Sequence, residues 1–162
     1  TGWYTLSLHD ALPISLWDLL CPVRHADSPE RVAAYKVEPF VVAADVYTAA
    51  GHEGRGGWTW YTGSAAWMYQ FVLGSLLGLR VEGDRLSFQP LPHPDWTEYA
   101  VHYRYRNTYY HVRVLRAEDS GEPRRASSGL VRRVLLDEIE QDDHAVHMID
   151  DGHDHHVVVE IA

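Results

Sequence analysis

Cysteine is almost absent from this chain: Cys21 is the single one in 162 residues, so no disulfide can close within it. A lone thiol suits a reducing compartment and reads first as a small buried side chain. Basic residues are few as well. Fourteen Lys and Arg face 23 Asp and Glu, giving a formal net charge of -9 and a pI near 5.6, which argues against a nucleic-acid partner. No apolar run reaches the ~18 residues that a membrane span needs. No internal repeat is visible. Glycines cluster at Gly54–Gly63, yet no Lys-Ser/Thr pair follows them, which excludes a P-loop.

What is present is concentrated in Gly54–Trp67, GRGGWTWYTGSAAW, a glycine-rich turn set with tryptophans that runs into an apolar stretch. That stretch, Gly63–Leu79, has helical character and no proline until Pro90, and it is apolar nearly all round. It is expected to be a helix buried on several sides. A helix N-terminus carries unpaired N–H groups and roughly half a positive charge. Thr62 and Gly63 stand where the first turn begins, one offering a hydroxyl and the other bare backbone, which makes an anion site. Trp58, Trp60 and Trp67 beside it are flat surfaces on which a sugar ring can rest. The plainer alternative is that Thr62 is an N-cap, the glycines serve a tight turn and the tryptophans are core.

Before this motif, Leu16–Leu20 reads as a helix end stopped ahead of Pro22. Asp27-Ser28-Pro29-Glu30 opens a short helix over roughly Pro29–Tyr35. Glu38–Tyr47 is a second apolar segment whose β-branched residues permit a strand. From Arg80 the period changes to two. Leu86, Phe88, Val101, Tyr103, Tyr105, Tyr110, Val112 and Val114 alternate with polar residues. Arg106-Asn107-Thr108 reads as a hairpin turn, Glu118–Gly129 as an exposed loop. Val131–Leu136, Ala145–Ile149 and His155–Ile161 complete an antiparallel set.

Several side chains are candidates for chemistry. On a helix, Glu38 and Asp45 would share one face about 20° apart, where carboxylates accept hydrogen bonds from sugar hydroxyls. Equally, Glu38 can pair with Lys36 or Arg31 and Asp45 can be solvated. Arg55, in the glycine loop, can bind phosphate or sugar through its planar fork or lie in solvent; His52 is a weaker neighbour. His25 is read as structural. The histidines and acids of 144–156 have metal-ligand types, but Asp150-Asp151-Gly152 is ordinary turn chemistry, so no metal site is expected. Tyr99, Tyr103, Tyr105, Tyr109 and Tyr110 can form a carbohydrate-binding face, although cross-strand packing explains them better.

Three stretches together carry a resemblance: YKVEPFVVAADVY (Tyr35–Tyr47), GRGGWTWYTGSAAWMYQ (Gly54–Gln70) and LLGLRVEGDRLSFQPLPHPDW (Leu76–Trp96). They resemble the C-terminal end of the family 94 glycoside phosphorylases, over about Leu16–Ala162 and more weakly after Arg116. WTWYTGSAAWMY with EPFVVAADVY looks most like the branch found in cyclic β-1,2-glucan synthases. The resemblance implies an α+β fragment: residues 16–79 as the last helices of an (α/α)6 barrel, Glu38–Tyr47 among them, and residues 80–162 as an antiparallel β-sandwich. It implies inverting phosphorolysis of a β-glucan oligosaccharide by inorganic phosphate, or the reverse from glucose 1-phosphate, with no cofactor.

The family's Thr-Gly pair, which contacts phosphate, maps onto Thr62 and Gly63. Its general acid, main arginines and phosphate-binding histidine fall upstream of this sequence, so no catalytic residue is expected here and the chain alone should be inactive. A sugar-binding glutamine of cellobiose-type members falls near Ala44 or Asp45 and is not carried over. The expected partners are thus sugar, phosphate and a missing N-terminal part of the same chain, with no membrane contact by this segment. A cytoplasmic location is expected, on the cytoplasmic side of the inner membrane if the parent is a cyclic glucan synthase. Residues 5–15, TLSLHDALPIS, resemble a translated sequencing adapter. Residues 1–15 are therefore expected to be foreign to the domain.

Overall fold

The computed structural model describes residues 14–91, 93, 95–117 and 129–162. Nearly all of the adapter-like segment and of the expected loop at 118–129 lie outside them. Two compact units divide the chain between Val72 and Leu73.

Among its described residues the first unit holds three α-helices. Helix α1 covers 14–20 and ends ahead of Pro22. Helix α2, Pro29–Tyr35, is capped by Ser28, whose Oγ accepts from the Arg31 amide at 3.3 Å, with proline in its first turn. It stops where Lys36 turns left-handed (φ 57°). The cap, proline and acid read from Asp27–Glu30 thus set this helix. Helix α3, Thr62–Phe71, continues into a π-helical turn, Val72–Leu76.

Two expectations fail in this unit. Glu38–Tyr47 forms no helix; it is an irregular extended segment that bridges Val46 to Gly56. The amides of Ala44 and Tyr47 donate to the Trp58 and Arg55 carbonyls (both 2.8 Å), and the Gly57 amide donates to the Asp45 carbonyl (2.9 Å). Backbone groups that a helix would satisfy internally are satisfied by the glycine-rich turn instead. Helix α3 is not buried on several sides either. None of its residues is buried, and Trp67 is 80% exposed.

The second unit is a two-sheet β-structure. Strands β1 (Leu79–Glu82), β2 (Arg85–Phe88) and β7 (Ala145–His147) form one sheet in the order β1-β2-β7. Strands β3 (Glu98–Tyr105), β4 (Thr108–Arg116), β8 (Asp154–Ile161), β5 (Val131–Leu136) and β6 (Ile139–Glu140) form the other, in that order. The β3–β4 hairpin turns at Arg106-Asn107, as its sequence indicates, with Arg106 left-handed (φ 54°). Alternation places Tyr110, Val112 and Val114 of β4 and Val157, Val159 and Ile161 of β8 inward. They share one core with Leu86, Phe88, Val134, Val146 and Met148.

The set is not wholly antiparallel. Strand β8 runs parallel to β4, pairing Tyr109 with Asp154 through Arg116 with Ile161. The reason is the path of 148–153. These residues carry the chain from β7 in one sheet to β8 in the other, so they make a crossover and not a turn between paired strands.

Candidate functional site

The glycine-rich turn packs tightly because its glycines must. A side chain on Gly57 would lie 2.3 Å from the Asp45 carboxylate, and one on Gly56 would lie 2.6 Å from Val37. The Asp45 Oδ1 accepts from the Trp58 amide at 3.3 Å. Asp45 is therefore a clasp on the turn. It does not share a helical face with Glu38, since no helix joins them.

Glu38 has its own partner. Its Oε1 accepts from the Trp60 indole at 3.1 Å, and Phe40 packs edge-on to the same indole, ring centres 6.4 Å apart. Its own backbone amide first, then the indole, hold the Glu38 carboxyl below the usual carboxylate range. Neither Lys36 nor Arg31 is the partner; Arg31 pairs with Asp27 at 2.9 Å. Trp60 sits at φ 60°, a conformation uncommon for a bulky residue and found at sites where surrounding structure over-determines it. Trp58 stacks on Tyr61, centres 5.4 Å apart. Both indoles stay 70% exposed, so these tryptophans are surface platforms and not core.

Tyr61, not Thr62, is the N-cap of α3, and its side chain makes no capping bond. Thr62, Gly63 and Ser64 form the first turn. The Ala65 amide is the first to reach a carbonyl of this helix, that of Tyr61 at 3.3 Å. The amides of Thr62, Gly63 and Ser64 have no carbonyl one turn back within the helix. A Cβ on Gly63 would lie 3.1 Å from the Tyr61 ring, so glycine lets that ring lie over the first turn. Sequence reasoning missed Tyr61, Phe40 and Ser64. Tyr61 was legible only as one more aromatic of the glycine-rich motif, and Phe40 only as an aromatic of the stretch Tyr35–Tyr47.

The residues named from sequence thus fall into linked pairs: Glu38 with Trp60, Asp45 with Gly57 and Trp58, and Trp58 with Tyr61 next to Thr62. Arg55 enters through its backbone, and its guanidinium makes no hydrogen bond or ion pair among the described residues. A groove of about 440 Å³ runs along α3 and is lined mostly by apolar groups such as Leu16, Val42 and Trp67; of the named residues, Gly63 and Trp67 reach it. His25 stacks on Tyr35 (4.8 Å) and bonds to the Leu19 carbonyl, a structural role. In the second unit, Tyr110 is fully buried and Tyr99, Tyr103 and Tyr105 pack against the core. Among the described residues, no group of three or more His, Cys, Asp or Glu could hold a metal ion. No helix there is long and apolar enough to cross a membrane.

Two family models match the chain, one chiefly over the first unit and one within the second. Residues 12–78 match the model described as "Glycosyl hydrolase 94 superfamily, catalytic domain", and residues 79–120 match "Glycosyl hydrolase family 65, C-terminal domain". Each stretch is thus similar to its family model, and each covers less than half of the chain. Among individual proteins it is 45% identical over 105 residues to the cyclic beta-(1,2)-glucan synthase NdvB of Rhizobium meliloti (strain 1021), covering 65% of this chain and 4% of that one. It is 29% identical over 105 residues to the N,N'-diacetylchitobiose phosphorylase of Vibrio proteolyticus, covering 62% and 12%. The chain thus spans a small part of the length of either relative.

Proposed function

We propose that this chain is the C-terminal part of a family 94 glycoside phosphorylase domain and that Thr62 and Gly63 hold its inorganic phosphate. The observation that carries the reading is the open first turn of α3. There, three amides without intrahelical acceptors, the Thr62 hydroxyl and the positive end of the helix dipole meet a glycine. Glu38, Asp45, Arg55, Trp58 and Trp60 are assigned to the sugar side. The exposed indoles offer stacking faces, and the ionised Glu38 carboxylate is an acceptor beside them.

In this reading a phosphate oxygen attacks the anomeric carbon as the bond to the departing sugar oxygen breaks. The departing oxygen takes a proton from a general acid outside this chain. Phosphate is itself the nucleophile, so no cofactor is required. The substrate is assigned as a β-glucan, of the β-1,2 type on the strength of the 45% identical relative's name. The first unit is assigned to the end of an (α/α)6 barrel, and the location to the cytoplasm. A carbohydrate-binding role for the tyrosine hairpin is set aside, because Tyr110 has no exposed ring and Tyr103 faces the core.

The test is Thr62→Ala in the full-length phosphorylase to which the segment is assigned. Loss of one hydrogen bond to a charged group costs about 1.5–3 kcal/mol, or roughly a 10–200-fold fall in the specificity constant for phosphate. Oligoglucan affinity should hold. A lower melting temperature with unaltered phosphate kinetics would overturn the assignment.

A further inference from the structure

The outer face of the five-stranded sheet carries an arrangement unrelated to the phosphate site. His102 of β3 and His111 of β4 are directly opposite in register, and His156 of β8 is opposite His111. The Nδ1 atoms of His102 and His111 face each other at 2.6 Å. Asp154 lies on the far side of the His111 ring, its Oδ2 3.2 Å from Nε2. These histidines line an open groove of about 890 Å³ on that face. Both rings of the pair are accessible; His102 is exposed and His111 half-buried.

The tautomers follow from the partners. An ionised carboxylate only accepts, so His111 Nε2 carries the proton and donates it to Asp154. In the neutral ring that leaves a lone pair on Nδ1, aimed at His102. The short contact then needs His102 Nδ1 to be the donor. One proton is thus held between two nitrogen lone pairs. A carboxylate behind an imidazole that presents its other nitrogen outward is also how metal-binding histidines are oriented and made more basic.

We propose that His102 and His111 chelate a divalent first-row transition ion, which replaces the shared proton, with water from the groove completing the shell. His102 supplies Nδ1 after its proton moves to Nε2, so the two rings remain neutral. Asp154 is a positioning residue that acts through His111. Imidazole pairs favour Zn²⁺, Ni²⁺ and Cu²⁺, with Cu²⁺ the tightest of the three. The nearby cations are offset: Arg113 pairs with Glu98 at 2.8 Å, and Arg104 lies over the Tyr109 ring. Two nitrogens each ~2.0–2.1 Å from one ion are ~2.9 Å apart at a right angle and ~3.4 Å apart at a tetrahedral one, so the rings must open from 2.6 Å and swing their lone pairs to converge on the ion, a movement that exposed side chains at a sheet surface allow.

The experiment is calorimetric titration of the untagged full chain with Ni²⁺ and Cu²⁺, beside His102→Asn, His111→Asn and, as a control, His153→Asn. One site is expected to weaken at least tenfold in the first two variants and stay within twofold in the control, with Asp154→Asn falling between. Circular dichroism checks that each variant is folded. Substoichiometric Cu²⁺ on the unmutated chain gives a second readout: imidazole resonances of His102 and His111 should broaden first. Binding that is unchanged in His102→Asn and His111→Asn, broadening that begins at other histidines, or no saturable binding would each overturn the proposal.

Discussion

At the scale of single residues, the second unit is fastened by a histidine held between two acids. His155 Nδ1 lies 2.6 Å from Asp137 at the β5–β6 turn, and its Nε2 lies 3.2 Å from Asp151 in the β7–β8 crossover. Tyr110 of β4 stacks on the ring at 5.1 Å. With a carboxylate at each nitrogen, the imidazolium satisfies both. The bond to Asp137 is the chief reason that His155 titrates above the usual histidine range. Burial pushes the Asp137 carboxyl up, but the bonds and charges of His155 and His156 bring it below its ordinary value. A bond from the His153 amide leads the same lowering at Asp151. Tyr110 is pushed up by burial and stays neutral.

The signs give a pH window for this clasp. A histidine raised on folding contributes fully below its unfolded value of about 6.5 and loses that contribution as pH rises through the folded value. The lowered acids contribute above their unfolded value of about 3.9 and lose it on acidification. The clasp is therefore strongest at about pH 5–6 and weakens on the alkaline side. Urea midpoints of the full chain should fall from pH 6 to pH 9, and His155→Gln should flatten that slope. An equal slope in the variant would show that another group governs it.

At the scale of elements, β8 tests the sandwich most directly, because it is hydrogen-bonded on both sides, by β4 and β5. Val159 is fully buried, whereas its neighbour Val158 points to the groove face. Val159→Thr places a hydroxyl in the core without a partner and should cost about 1–3 kcal/mol. Val158→Thr should stay within about 0.5 kcal/mol of the parent. Denaturant unfolding of both variants measures the contrast; equal effects would contradict the assigned facing. This alternation was legible from sequence because the period of two is local, as were the Ser28 cap and the Arg106-Asn107 turn. The parallel β4/β8 pairing was not legible. It depends on which sheet receives the chain after Gly152, and Asp-Asp-Gly permits either path. The helix expected over Glu38–Tyr47 failed for a related reason. Its backbone is claimed by Arg55, Gly57 and Trp58, a tertiary pairing that periodicity within the segment does not register. The Thr62-Gly63 turn was legible because a helix start is announced locally. The link from Glu38 to Trp60 was not, since it joins residues 22 apart.

At the scale of the whole molecule, the two units differ in how completely each covers its own apolar surface. The second has a continuous core of eleven buried residues. In the first, the buried apolar residues are Ile14, Cys21, Tyr35, Val41 and Ala43 among those described, while Leu19, Phe40, Trp58, Trp60, Trp67 and Tyr69 are each more than 60% exposed. Exposed apolar surface of that extent marks contact with something else. If the first unit is part of a helical barrel, as proposed above, the other helices of that barrel are the candidate. Stability is then unevenly distributed, since opening free energies follow buried contacts. Amide exchange of the full chain at neutral pH should be fast through 14–72, with opening costs near zero. It should be slow in β4, β5 and β8, approaching the global value of about 5–15 kcal/mol expected for a folded domain. Exchange resolved by peptide mass spectrometry would separate the two segments. If α3 and the glycine-rich turn were protected as strongly as β8, the first unit would be self-sufficient, and its exposed indoles would need no barrel to cover them.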